Sequence, residues 1–142
     1  MNPAARPAKL LIVEDDPFYS ELTRAAALSC HRFAEVATAD GGLAALDLLL
    51  AQSAEPSGLP DLVLSDLKMA EIDGLELIEA LHEHPALRRI PVVIMTSSED
   101  PRDRAAAARA GCRHFFQKPA SVRALADELG QMSAFCGEAA HV

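Results

Sequence analysis

A chain of 142 residues, 50% of them hydrophobic, has material for one well-filled compact unit and not for two independent cores. Its 21 acidic side chains outnumber 13 basic ones, and the resulting formal charge of -8 repels a phosphate backbone, which argues against nucleic acid as a direct partner. One Tyr, five Phe and no Trp leave little from which to build a base-stacking platform.

The lead segment, residues 1–8, is rich in Pro and Ala, and the apolar run that follows is too short for a signal peptide or a membrane span. Leu10-Leu11-Ile12-Val13 reads as a buried central strand, ended abruptly by Glu14-Asp15-Asp16. Pro17 suits the first turn of a helix, along which Phe18, Leu22, Ala25 and Leu28 recur at helical spacing. Glu35 to Ala39 is a weaker strand. Asp40-Gly41-Gly42 then turns into a second helix carrying Leu43, Leu46, Leu49 and Leu50, and Gln52 to Pro60 is an extended loop.

Leu62-Val63-Leu64-Ser65 is the third apolar run and delivers Asp66 at its end. After an irregular loop broken at Gly74, Leu75, Ile78 and Leu81 mark a third helix. Ile90 to Met95 is the fourth strand, with Pro91 tolerable near its beginning, and it runs into Thr96-Ser97-Ser98. Asp100 to Ala110 is Ala-rich and helix-prone and stops at Gly111. His114-Phe115-Phe116 is the fifth strand, ending at Gln117-Lys118-Pro119, and Ser121 caps a last helix bearing Val122, Leu125, Leu129 and Met132.

Five strand-then-helix units imply an α/β fold, a doubly wound five-stranded parallel sheet with helices on both faces. Residues 9–134 make this domain, and residues 135–142 are a tail too short for a DNA-binding output domain. Cys30, Cys112 and Cys136 lack metal-type spacing, so they read as free thiols in a reducing, cytoplasmic setting.

In a parallel sheet all the strand ends lie on one edge, so Glu14, Asp15, Asp66, Thr96 and Lys118 should meet there despite their separation along the chain. Taken singly, each has a plain explanation. An acidic run suits a helix N-terminus, Asp66 and Thr96 suit caps or turns, and a Lys before Pro suits solvent. Together, after strands one, three, four and five, they do not. Three converging carboxylates need a positive counter-charge, and Mg2+, with hard-oxygen preference and affinity for phosphate, is the economical one. A fixed carboxylate beside such an ion, a Lys and a hydroxyl can take up a phosphoryl group without a general base.

The segments LIVEDDP (Leu11 to Pro17), LVLSDLKMAEIDG (Leu62 to Gly74), PVVIMTSS (Pro91 to Ser98) and FFQKP (Phe115 to Pro119) resemble the receiver domains of bacterial two-component response regulators. Thr96 lies 30 positions after Asp66 and Lys118 lies 22 after Thr96, both usual in that family. The resemblance implies a flavodoxin-like strand order of 2-1-3-4-5. It implies that Asp66 is the phosphoacceptor, that Asp15 ligates Mg2+ (or Mn2+) directly, and that Glu14 orients metal-bound water. The Lys68 backbone carbonyl would be a further ligand. Thr96 resembles the switch hydroxyl, Lys118 the phosphate-binding lysine and Phe115 the switch aromatic, and the Lys118–Pro119 peptide bond is expected to be cis. Ala70 and Ser97 depart from the commoner Pro and Ala, and Lys68 and Ser98 occupy positions that tune phosphoryl lifetime.

The partners implied are a sensor histidine kinase, including hybrid and phytochrome-type kinases, or a histidine phosphotransfer protein, docking near Phe18 and Leu22. A downstream target protein would read the face bearing Arg102, Arg104, Phe115 and Arg123; homodimerisation is open, and no membrane or direct nucleic-acid partner is expected. A shuttle in a phosphorelay is an alternative within the same chemistry. A scaffold that binds without phosphorylation is a different one, opposed by the intact acidic and basic groups. An aspartate-nucleophile phosphatase would carry a second acid where Lys68 stands, and an FMN carrier would carry a Ser/Thr/Gly-rich loop after the first strand.

Overall fold

The computed structural model describes residues 8–136. Five strands, β1 (Ala8–Val13), β2 (Phe33–Ala39), β3 (Leu62–Asp66), β4 (Val92–Thr96) and β5 (His114–Gln117), alternate with five helices, α1 (Pro17–Ser29), α2 (Gly42–Gln52), α3 (Gly74–His82), α4 (Pro101–Ala110) and α5 (Val122–Met132). All strand pairs are parallel and the order is β2-β1-β3-β4-β5, as expected. No helix among the described residues is long and apolar enough to cross a membrane.

Strand alternation sorts the core into two layers. Leu11, Val13, Val63, Val92, Ile94 and Phe115 face one side, where they bury Leu49 of α2, Leu77, Ile78 and Leu81 of α3 and Ala107 of α4. Leu10, Ile12, Leu62, Leu64, Val93, Met95 and Phe116 face the other, where Ala26 and Ala27 of α1 and Leu125, Leu129 and Met132 of α5 close over them. Strands buried on both faces read as the unbroken apolar runs seen in the sequence.

Local signals fix the helix ends. Asp16, Asp73, Asp100 and Ser121 each accept a backbone N–H at a helix start, and Asp73 and Glu76 form a reciprocal capping box on α3. Gly111 ends α4 in the left-handed region at φ 98°, where a side chain is disfavoured.

Several expectations shift. β2 begins at Phe33, two residues before the expected Glu35, because Phe33 is buried and pairs with Ala8. The loop after α2 holds a short 3-10 turn, Pro56–Gly58. On α1 the inward stripe is Tyr19, Leu22, Thr23, Ala26 and Ala27, whereas Phe18 is 75% exposed and Leu28 and Ala25 also face solvent. The small residues, not the large ones, let α1 lie close to the sheet. The boundary set after residue 134 falls inside a 3-10 turn, Ser133–Phe135, and Phe135 packs against the α1/α5 layer. Nearly all of the lead and the last six residues of the tail lie outside the described residues.

Gly74 packs so closely behind β3 that a Cβ there would stand 2.5 Å from the Asp66 carbonyl oxygen and 2.9 Å from Ile94 Cδ1. Gly74→Ala should destabilise the domain by about 1–3 kcal/mol through overpacking, read as a lowered urea midpoint with an unchanged m-value.

Candidate functional site

Val13 pairs with Ser65, Asp66 with Met95 and Thr96 with Gln117, so the residues that end or follow β1, β3, β4 and β5 arrive side by side at one edge of the sheet. Alternation then decides where each side chain points. Glu14, Asp66 and Lys118 continue the rows Leu10-Ile12, Leu62-Leu64 and Phe116 toward α1 and α5, and Thr96 continues the row Val92-Ile94 toward α4.

The Lys118 ammonium lies 2.8 Å from Glu14 Oε1 and 3.2 Å from Asp66 Oδ2, with only 13% of its side chain exposed. The Glu14 contact is an ion pair by distance but lacks hydrogen-bond alignment at Oε1. Asp66 Oδ1 accepts the Leu67 N–H at 2.8 Å, and Glu14 Oε2 accepts the Asp16 N–H at 3.2 Å. Asp15 is exposed, and its Oδ2 accepts the Ala70 N–H at 3.1 Å, tying the end of β1 to the loop after β3. One carboxylate oxygen from each of Glu14, Asp15 and Asp66 lies within 4.8 Å of the others, an acidic cluster able to chelate a divalent metal.

Glu14 is 1% exposed, and burial pushes its carboxyl up to about 7. The Lys118 contact opposes that rise and the neighbouring Asp66 adds to it. For Lys118, burial favours the neutral amine, but Glu14 and Asp66 outweigh it and hold the ammonium above its usual range. The face of Tyr19 completes the lysine's surroundings, its ring centroid 4.3 Å from Nζ. Burial raises the Tyr19 phenol, so the ring stays neutral beside the cation.

Thr96 is buried, and its Oγ1 accepts the Ser98 N–H at 3.1 Å. Phe115 is buried under the Arg104 guanidinium, which sits 4.8 Å from its ring centroid. Lys68 stands in the loop after Asp66, and its exposed ammonium reaches Asp103 at 3.7 Å. Asp103 also receives the Ser98 hydroxyl in a short hydrogen bond. Asp16, the surplus acid of the first cluster, caps α1 through the Phe18 N–H at 3.0 Å.

The expected cis bond is absent, since no peptide bond among the described residues is cis and Lys118–Pro119 is therefore trans. Trans is the intrinsically favoured isomer by about 0.5–1 kcal/mol even before Pro. With it the Lys118 N–H still donates to the Thr96 carbonyl at 2.8 Å and Nζ still reaches both carboxylates. Tyr19 and Asp103 were not legible as site residues. An aromatic in the first turns of a helix and an acid at a helix start both have ordinary structural explanations, and only the assembled fold brings them to the sheet edge.

The response regulator receiver domain model matches residues 10–130. The polar-differentiation response regulator DivK of Brucella anthropi is 32% identical over 116 residues, covering 82% of this chain and 88% of that protein. The phosphorylated cyanobacterial phytochrome response regulator RcpA has a similar structure, with a TM-score of 0.76 at 27% identity over 91% of this chain and 93% of its own. The Mn2+-bound form of response regulator Rcp1 gives 0.73 at 29% identity, over 91% of this chain and 94% of its own. With a matching fold and an acidic cluster at the carboxyl edge of its sheet, the chain belongs to the response regulator receiver domain family and is a phosphoacceptor module.

Proposed function

We propose that Asp66 is the residue that accepts the phosphoryl group, from a phosphohistidine of a sensor kinase or phosphotransfer protein, with Mg2+ bound by Asp15, Asp66 and the Lys68 carbonyl. The observation that carries this reading is the position of Asp66. Its carboxylate ends the central strand β3, nearly buried, with Lys118 at 3.2 Å and two further acids in reach. The donor set is all oxygen, includes an exposed acid open to solvent, and suits a small hard cation that keeps several waters.

When bound, Mg2+ supplies positive charge to the phosphoryl oxygens and offsets the crowding of carboxylates. Asp66 acts as the nucleophile through its carboxylate. Its oxygen forms the new P–O bond as the P–N bond of phosphohistidine breaks, and the imidazole leaves with the bonding electron pair. Lys118, freed from its contact with Asp66 Oδ2, neutralises one phosphoryl oxygen, and Thr96 turns its hydroxyl from the Ser98 N–H to another. Movement of Thr96 opens space on the α4 side, where Phe115 lies under Arg104, so the two states differ at the surface of α4 and β5. The exposed Phe18 beside the acidic pocket suits docking of the donor protein, and phytochrome-type kinases are the favoured class, on the likeness to RcpA. The setting is the cytoplasm.

Incubation with Mg2+ and acetyl phosphate should add one phosphoryl group, and Asp66→Asn should abolish it; full incorporation by that variant, read by intact mass, sinks the assignment. Cation affinity should fall as pH drops below about 7, because a divalent charge beside Glu14 favours the carboxylate whereas burial favours the protonated form. Calorimetric titrations in buffers of different ionisation enthalpy should therefore show proton release at pH 6 and little at pH 8. Without divalent cation the sign reverses for folding. Native Glu14 holds its proton up to about 7 and unfolded Glu14 only to about 4.5, so the native state binds more protons in between. Unfolding free energy should thus decline as pH rises through that window, and Glu14→Gln should flatten the decline in urea titrations.

A further inference from the structure

Tyr19 belongs to the site by geometry, yet no step of phosphoryl transfer as set out above uses it. Its ring centroid is 4.3 Å from Lys118 Nζ, inside the range of a cation–π contact, and the lysine is largely shielded from water, where such contacts are strongest. The hydroxyl does not account for the residue. It is buried with no hydrogen-bond partner among the described residues, an unfavourable arrangement for a phenol. The backbone that carries the ring, by contrast, is held on both sides. Asp16 caps α1 and Pro17 opens it, and the Thr23 hydroxyl donates to the Tyr19 carbonyl at 2.7 Å. The ring itself packs with the α1/α5 core layer.

The ammonium therefore has three faces occupied, by Glu14 Oε1, Asp66 Oδ2 and an aromatic π surface. Both carboxylate contacts are lost or weakened in use, when Asp66 becomes phosphorylated and Glu14 turns to metal-bound water. The π face is the one contact that need not change. We infer that Tyr19 is a positioning residue that holds the Lys118 ammonium over Asp66, so that the cation is in place for the incoming phosphoryl group. The inference rests on the assignment of Asp66 as phosphoacceptor. It makes the ring, and not the hydroxyl, the functional part.

The test is the rate of phosphorylation by acetyl phosphate with saturating Mg2+, measured in wild type, Tyr19→Phe, Tyr19→Leu and Lys118→Ala, and in Tyr19→Leu combined with Lys118→Ala. Tyr19→Phe should stay within about twofold of wild type, and Tyr19→Leu should be about three- to tenfold slower, the range expected from losing one shielded cation–π contact. In the Lys118→Ala background Tyr19→Leu should have no further effect, since its influence passes through the lysine. The same fold-loss in both backgrounds means that the ring only supports packing, and a Tyr19→Phe rate as low as that of Tyr19→Leu means that the hydroxyl matters; either overturns the inference. A second readout needs no phosphorylation. The Lys118 ε-methylene protons should show an upfield ring-current shift in wild type and Tyr19→Phe that disappears in Tyr19→Leu, and its absence from wild type overturns the inference even where Lys118→Ala is too slow to follow. Failure of the underlying assignment looks different: wild type takes up no phosphoryl group on Asp66 while the ring-current shift persists, which removes both the assignment and the role built on it.

Discussion

The site depends on one ammonium group held between two carboxylates that the fold forces together. Register places Glu14 beside Asp66, and burial denies both the water that would screen them. Lys118 contributes the nearest positive charge to both carboxylates, at 2.8 and 3.2 Å. Burying an ion pair does not in itself stabilise a protein, because desolvation offsets most of the Coulombic gain. Its effect here is on geometry, since the lysine fixes where negative oxygen is tolerated and so where a phosphoryl group and a divalent cation find complementary charge.

The alternation of strand residues gives this edge two sides with separate tasks. Toward α1 and α5 lie Glu14, Asp66 and Lys118, the charged groups, closed over by Tyr19. Toward α4 lie Thr96, one residue past Met95 on the same strand, and Phe115, one residue before Phe116. The two sides are separated by a single residue along each strand, Met95 to Thr96 on β4 and Phe115 to Phe116 on β5.

Much of this was legible in the sequence, for physical reasons that also explain what was not. Central strands buried on both faces leave unbroken apolar runs that stop at Glu14, Ser65-Asp66 and Thr96, and the parallel topology then brings Lys118, just past β5, to the same edge. Edge strand β2 shows no such run, since only its end residues Phe33 and Ala39 are buried, and its start at Phe33 is not legible in the sequence. On helix α1 the periodicity of Phe18, Leu22, Ala25 and Leu28 does not mark the buried stripe, because Ala26 and Ala27 fit against the sheet while Phe18 and Leu28 point outward. The capping box of Asp73 and Glu76 is legible as an Asp-x-x-Glu spacing that starts α3 at Gly74. Tyr19 lacked any such signal, because contact between a helix residue and a lysine 99 positions later exists only once α1 has docked.

Two residues from the loops at the carboxyl edge of the sheet converge on a single acid. Lys68 from the β3–α3 loop pairs with Asp103, and the Ser98 hydroxyl from the β4–α4 loop donates to the same carboxylate. Asp103 sits in the first turn of α4, whose cap, Asp100, in turn receives order from Ser98 through its own N–H at 3.1 Å. The loops that follow β3 and β4 and the first turn of α4 are therefore placed together. A partner that shifts the first turn of α4 alters the surroundings of Lys68 and Ser98 together, and a change at either residue reaches the helix. By linkage, any free energy exchanged between the phosphorylated site and the α4 surface must run equally in both directions.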